Sequence, residues 1–157
     1  MHDAPEPWST ARGQQVAERH AATEGGLLPT LHELQAVFGF IPDEAVRLLA
    51  QTFNLSRAEV HGVVSFYHDF RREPAGRHVI KLCQAEACQS LGSRALTAHA
   101  CERLGIAMGD TTADGRVTLE PIYCLGLCAT APSAMIDGRV LGRVTKARLD
   151  AALEALA

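Results

Sequence analysis

The spacing of apolar residues changes character near position 75. Before it, apolar positions recur at intervals of three and four, the period of one helix face. Ser9 is placed to cap a helix that runs to Gly25-Gly26. Thr30 and Glu33 stand in the T-x-x-E pattern of a capping box, with Leu31, Leu34 and Phe38 on the face that follows and Gly39 as the stop. Pro42 opens a third helix bearing Val46, Leu49 and Phe53. Ser56 and Glu59 repeat the box before Val60, Val63 and Val64. Isolated helices of ~12–15 residues are already marginal in water, so these short ones must pack on each other, on the rest of the chain or on a partner.

After Pro74-Ala75-Gly76 the pattern becomes mixed. His78 to Leu82 reads as a strand that runs straight into Cys83, and residues 90–104 suit a helix with Leu96, Ala100 and Leu104 four apart. Asp114-Gly115 and Asp137-Gly138 each lie between strand-like runs and predict type I′ hairpins. The flanks of the second are Ala134-Met135-Ile136 and Arg139-Val140-Leu141. Thr145 then caps a last helix with Leu149, Leu153 and Leu156. Strand, helix, strand, hairpin and helix in that order predict a small α/β domain. The expected organisation is an N-terminal short-helix region over residues 1–75, its first 25 residues flexible, followed by an α/β domain over 76–157.

Composition narrows the classes. Of 157 residues, 47% are hydrophobic and 21% charged, which excludes wholesale disorder. Aromatics are only 5%, so the core must come from small aliphatic residues and helices. A net charge of −3 argues against nucleic acid as a partner, since phosphate binding needs a basic face. No apolar run approaches the ~20 residues of a membrane span. Met1-His2-Asp3-Ala4-Pro5 has neither a basic flank nor an apolar core, so no signal peptide is expected and the chain reads as cytoplasmic.

The chemistry lies in the cysteines. All five, at 83, 88, 101, 124 and 128, fall in the second half, unlike a disulfide scaffold. Cys83-Gln-Ala-Glu-Ala-Cys88 follows a strand, and Cys124-Leu-Gly-Leu-Cys128 lies in a loop after Val117-Thr118-Leu119. Two loops at neighbouring strand ends would offer four thiolates to one site, the set required by an iron–sulfur cluster or a structural zinc. Spacing alone leaves both open, with inert core cysteines as the bland reading. Thiol–disulfide catalysis fits less well, because there is no C-x-x-C and neither pair obviously begins a helix. Cys101 sits inside the predicted helix and reads as a buried filler. Gly126 is expected to let backbone N–H groups approach sulfur where a Cβ would collide. Pro132 ends the loop, and Ala134-Met135-Ile136 would shield its inner side.

Other features admit plain readings. Phe66-Tyr67-His68-Asp69-Phe70 is core at the junction of the two halves, or else faces a partner subunit. Trp8, after Pro5-Glu6-Pro7, is a docking anchor or part of a loosely packed tail. The seven histidines are scattered without ligand spacing, and Glu18-Arg19 and Arg71-Arg72-Glu73 are solvated faces. Nothing resembles a Gly-rich dinucleotide loop, a flavin site or a nucleophile–base pair, so no activity is expected of the chain alone.

Cys83-x4-Cys88 and Cys124-Leu-Gly-x-Cys128 followed by Ala131-Pro132 resemble the thioredoxin-like [2Fe-2S] ferredoxin family. Three N-terminal stretches extend the match to the 24-kDa-type subunits of NADH-quinone oxidoreductase and their relatives in NAD-linked hydrogenases and formate dehydrogenases. They are Leu28-Pro29-x-Leu31-His32-x-Leu34-Gln35, Phe38-Gly39-Phe40-Ile41-Pro42 and Gly62-Val63-Val64-Ser65-Phe66-Tyr67-His68-x-Phe70. The resemblance covers about residues 27 to 156. Within the group, the loop Cys83-Gln84-Ala85-Glu86-Ala87-Cys88-Gln89 is most like the gamma subunit of NAD-dependent molybdenum formate dehydrogenases. It implies a thioredoxin-like fold for the second domain and one [2Fe-2S] cluster held by Cys83, Cys88, Cys124 and Cys128. It also implies a flavin/NAD-binding subunit beside it and a large molybdenum- and iron–sulfur-containing subunit, with FMN, NAD and the molybdenum cofactor confined to those partners. The reading from another class is a zinc-stabilised interaction module.

Overall fold

The computed structural model describes residues 5–156. Met1 to Ala4, on which most of the expectation of no signal peptide rests, lie outside the described residues, as does Ala157. The chain forms two compact units, one ending at Pro74 and the other beginning at Ala75.

The first unit is all helical. Helix α1 (Thr10–His20) starts where Ser9 accepts the Arg12 N–H through its side chain at 3.4 Å. It ends at His20, and turns rather than helix carry the chain to Gly26. The segment expected to be flexible therefore holds a helix whose Val16 and Ala17 are fully buried. Trp8 packs edge-on against Phe38 at 4.8 Å between ring centroids, so it is neither a free anchor nor a loose tail.

Helix α2 (Leu27–Phe38) corrects the first capping box. It begins three residues before Thr30, because Pro29 is tolerated within the first turn, where N–H groups have no intrahelical acceptor. Starting there folds Leu27 and Leu28 against the core. Thr30 is buried at the end of the first turn, its hydroxyl donating to the Gly26 carbonyl at 2.7 Å. Glu33 turns instead to Arg19 and His20 at 2.5 and 2.7 Å.

Helix α3 (Asp43–Thr52) follows Pro42, and α4 (Arg57–Phe66) carries both bonds of its capping box. The Glu59 N–H donates to the Ser56 hydroxyl at 3.2 Å, and the Ser56 N–H to the Glu59 carboxylate at 2.8 Å. Leu31, Leu34, Phe38, Ile41, Leu49, Val60, Val64 and Phe70 make the core. The aromatic run after α4 divides: Phe70 is buried, whereas Phe66 and Tyr67 are 73% and 42% exposed.

The second unit is α/β. Its strands are β1 (His78–Cys83), β2 (Val117–Ile122), β3 (Ala134–Ile136) and β4 (Arg139–Leu141), in the order β2-β1-β3-β4. Strands β1 and β2 are parallel, and the other two pairs are antiparallel. Alternation along β1 sends Ile80 and Leu82 into a core shared with Leu96, Ala100, Leu149 and Leu153. Lys81 and Glu120, on the other face, pair at 3.4 Å.

The helix expected over residues 90–104 is α6 (Ser93–Leu104), which starts after Gly92 with φ +92°, and a separate, unexpected short helix, α5 (Glu86–Ser90), precedes it. Helix α7 (Lys146–Glu154) is capped by Thr145 as expected. Asp137 and Gly138 both take positive φ, as a type I′ turn requires, and join β3 to β4. Asp114-Gly115 forms no such hairpin. Only Gly115 has positive φ, and Thr111 makes a single bridge to Thr118. The Asp114 carboxylate closes its own local turn by accepting from the Thr112 hydroxyl and the Arg116 N–H, at 2.6 and 3.0 Å.

Candidate metal centre

The sheet register builds the site. In the parallel pair Cys83 lies opposite Ile122, so Cys124 follows only two residues beyond the same sheet end. Strand β3 runs the other way and enters there too: Leu82 faces Ala134, and the Cys83 N–H donates to the Ser133 carbonyl at 3.1 Å. Two strand ends and one strand entry thus bring residues 83–88 and 124–133 together.

The first loop is held from behind. The buried Ser93 hydroxyl, at the start of α6, donates to the Cys83 carbonyl. The Gln84 amide donates to Thr97 Oγ1 at 3.0 Å, and the Gln89 amide to the Gln84 carbonyl at 2.6 Å. Cys88 lies inside α5, a short helix that begins at Glu86 between the two cysteines of the first pair. Cys83 and Cys88 are both buried, in an apolar nest with Ala131, Ala85 and Ile122.

The second loop is open. Cys124 and Cys128 are exposed, with their sulfurs 3.6 Å apart. Cys124 has φ +90°, a region disfavoured for any residue with a Cβ, and such backbone clusters at functional sites. Gly126 has φ +75°, and its N–H donates to the Cys124 sulfur at 3.3 Å. A Cβ at Gly126 would meet no atom within 4 Å, so the expected collision is absent. Backbone conformation is what requires glycine at that position. Behind the loop the Arg143 N–H donates to the Thr130 carbonyl at 2.5 Å, and a Cβ on Gly142 would come within 2.5 Å of the Thr130 hydroxyl.

The electrostatics of the four thiols suit a shared cationic centre. Burial alone would raise the Cys83 pKa. Bonds from the Ala85 N–H, the Cys88 side chain, the Cys124 N–H and the Ser133 hydroxyl outweigh it and hold the thiol below its ordinary value. Cys128 is pushed the other way by its bond to Cys124 and by the charges of Cys124, Cys88 and Cys83. The Cys128 thiol therefore resists ionisation beside its neighbours unless positive charge lies among them. A tetrahedral metal with metal–sulfur bonds of about 2.3 Å keeps its sulfurs about 3.8 Å apart, close to the observed Cys124–Cys128 separation. Among the described residues no three His, Cys, Asp or Glu side chains converge on one point to enclose a single ion. The sulfurs come instead as a buried pair and an exposed pair. Sulfur-directed N–H and O–H groups fit a thiolate-bound iron–sulfur cluster.

The thioredoxin-like [2Fe-2S] ferredoxin family matches residues 13–157. The chain belongs to that family. The match begins earlier than the motifs suggest, taking in most of α1. The HndA subunit of an NADP-reducing hydrogenase from Solidesulfovibrio fructosivorans is 38% identical over 83% of this chain and 77% of its own. An NADH-quinone oxidoreductase subunit of Escherichia coli is 32% identical over 98% of both chains. Among solved structures, an NAD+-reducing [NiFe]-hydrogenase in its H2-reduced state superposes with a TM-score of 0.71 at 34% identity over 83% of this chain. This chain spans only 22% of that hydrogenase chain. A [2Fe-2S] cluster is the family's cofactor, and the fold of helices on a four-stranded sheet is the thioredoxin-like ferredoxin fold.

Of the residues singled out beforehand, the structure brings the four cysteines of the two motifs to one sheet end. It leaves Cys101 half-buried on α6, packed against the second unit's core. His61 bonds to Arg72 at 2.9 Å, and His78 and His99 pair with Asp137 and Asp150. Sequence reasoning missed Ser133 and Ser93. The only trace of Ser133 is a lone polar residue between Pro132 and the apolar strand β3.

Proposed function

We propose that this chain is the electron-transfer subunit of an NAD-linked oxidoreductase complex, with Cys83, Cys88, Cys124 and Cys128 as the ligands of one [2Fe-2S] cluster. The observation that carries this reading is the meeting of two thiol pairs at one sheet end with backbone N–H groups aimed at their sulfurs. When bound, the cluster stores and passes electrons one at a time. The residues do the rest. The register of β1 and β2 spaces the two loops, Ser93 and Gln89 fix the first, and Gly126 turns its N–H onto the second. The apolar nest around Cys83 and Cys88 keeps water from the inner side, while the exposed pair faces outward toward a donor.

The names of the relatives support a complex of the NADH-quinone oxidoreductase or NAD(P)-linked hydrogenase type. The finer reading is an NAD-dependent molybdenum formate dehydrogenase. It is supported by the Gln84-Ala85-Glu86-Ala87 loop, where Glu86 sits exposed in the first turn of α5. The partners are then a flavin/NAD-binding subunit and a large molybdenum- and iron–sulfur-containing subunit. FMN, NAD and the molybdenum cofactor belong to those partners. The helical unit over residues 1–75 serves docking, and its exposed Phe66 and Tyr67 suit that role. Thiols kept free for a cluster suit the reducing cytoplasm, and no helix among the described residues is long and apolar enough to cross a membrane.

The test is anaerobic purification of the tagged chain with whatever accompanies it. The isolated chain should stay oxidised under NADH, and adding the flavin subunit should let NADH reduce the cluster. The complex should contain molybdenum and reduce NAD+ with formate. Reduction of the isolated chain by NADH would overturn the subunit reading. A molybdenum-free complex driven by hydrogen, or one passing electrons from NADH to quinone, would overturn the formate assignment alone.

A further inference from the structure

Ser133 stands at the entry to β3, 2% exposed, with its hydroxyl 3.5 Å from the Cys88 sulfur. The same hydroxyl bonds to the sulfur of Cys83. Its surroundings are apolar: Cys83, Cys88 and Ala131 form the buried cluster there, with Ala85 and Ile122 packed against it. A hydroxyl buried in such a place needs a partner, and the groups it meets are sulfurs. The Ser133 carbonyl is already occupied by the Cys83 N–H at 3.1 Å, so the residue touches that cysteine from both ends. In a free thiol either group could donate. A metal-bound thiolate carries no proton, so the hydroxyl must then be the donor.

We propose, resting on the ligation reading above, that Ser133 is a positioning residue that sets the reduction potential of the cluster through its single O–H, donated to the Cys88 thiolate 3.5 Å away. Reduction adds one electron, supplied by the partner's flavin, to a centre that is already anionic, and forms no new covalent bond. A hydrogen bond drawing charge from the thiolate stabilises the more negative, reduced state and raises the potential. The Gly126 N–H serves Cys124 and the Ala85 and Cys124 N–H groups serve Cys83, whereas Ser133 acts through a side chain, which substitution can alter without rewriting the loop.

The experiment is a redox titration of the full-length, cluster-loaded chain followed by electron paramagnetic resonance. It uses wild type, Ser133→Ala, and the pair Ser133→Thr and Ser133→Val, which share a shape but differ in the hydroxyl. Ala and Val should each lower the one-electron reduction constant about tenfold, a fall of about 59 mV. Thr should stay near wild type. Loss of iron from Ala and Val with retention in Thr also supports the role of the hydroxyl. An unchanged potential in fully loaded Ala, a Thr variant as low as Val, or loss of iron from all three overturns the proposal. Cys88→Ser, assayed alongside for iron content and visible spectrum, separates the two levels of the argument. Full iron and a wild-type spectrum in that variant would overturn the ligation reading itself.

Discussion

Gly126 gives the sharpest test of how the exposed cysteine loop is built. Its φ of +75° lies in the left-handed region, and an added Cβ would touch nothing within 4 Å. Any cost of substitution therefore comes from the backbone and not from a clash. For an L-residue that conformation costs about 1–2 kcal/mol. The cost falls on the loop that aims the Gly126 N–H at the Cys124 sulfur 3.3 Å away. A difference of 1–2 kcal/mol is roughly a 5–30-fold change in an equilibrium, here between the closed loop and an open form that releases metal. Gly126→Ala should show a change of that size, Gly126→Val a larger one because a β-branched residue tolerates positive φ least, and Gly126→Asn a smaller one. The assay is urea-induced loss of visible absorbance from the loaded chain, with iron release followed by a chelator. Equal behaviour of Ala, Val and Asn would refute the backbone argument, as would an alanine variant indistinguishable from wild type.

Trp8 and Gly13 form a second test, because a Cβ on Gly13 would come within 2.6 Å of the indole. Gly13→Ala should destabilise the chain by about 1–3 kcal/mol and Trp8→Ala by about 3 kcal/mol in chemical unfolding. The double variant should cost clearly less than the sum, and strict additivity would show that the ring does not sit on that helix turn. Ser56→Ala, which breaks a complete capping box, should cost about 1 kcal/mol, measured the same way. Thr30 caps no helix end, so Thr30→Ser should leave helix content by circular dichroism unchanged. Asp150 is held below the ordinary carboxylate value by its bond from His99 at 2.8 Å and the charge of Arg103. Because the folded pKa lies under the unfolded one, its stabilisation is present above the unfolded value and fades as pH falls through the folded value. Between about pH 5 and about pH 3 the Asp150→Asn chain should therefore lose less stability than wild type, and parallel losses would contradict the linkage.

What was legible in the chain was whatever a short window specifies. The Ser56–Glu59 box, the Thr145 cap, the Asp137-Gly138 turn and the apolar alternation of β1 each depend on a few adjacent residues, and each stands in the structure. The errors arose where a local signal met a tertiary demand. Thr30 and Glu33 match a capping box, but burying Leu27 and Leu28 starts the helix earlier, and Thr30 bonds backward to Gly26. Asp114-Gly115 matches a hairpin turn, but the Asp114 carboxylate closes a local turn with Thr112 and Arg116, and the segment before it makes a single bridge to β2 instead of a strand. Helix α5 is five residues long, too short for a periodicity to show. The pairing of the cysteine loops was legible because strand-end loops at neighbouring positions meet. The Ser133 hydroxyl was not, since its role depends on an antiparallel strand arriving beside Cys83 from 50 residues away in sequence.

The central claim is that Cys83, Cys88, Cys124 and Cys128 together hold one [2Fe-2S] cluster. The most direct measurement is iron and acid-labile sulfide per chain on anaerobically purified protein, for wild type and each single Cys→Ser variant. The account predicts equal amounts of iron and sulfide, two of each per chain, with loss or destabilisation of both in each of the four variants and none in Cys101→Ser. Zinc without labile sulfide, or a wild-type level in any of the four variants with loss in Cys101→Ser, would contradict it.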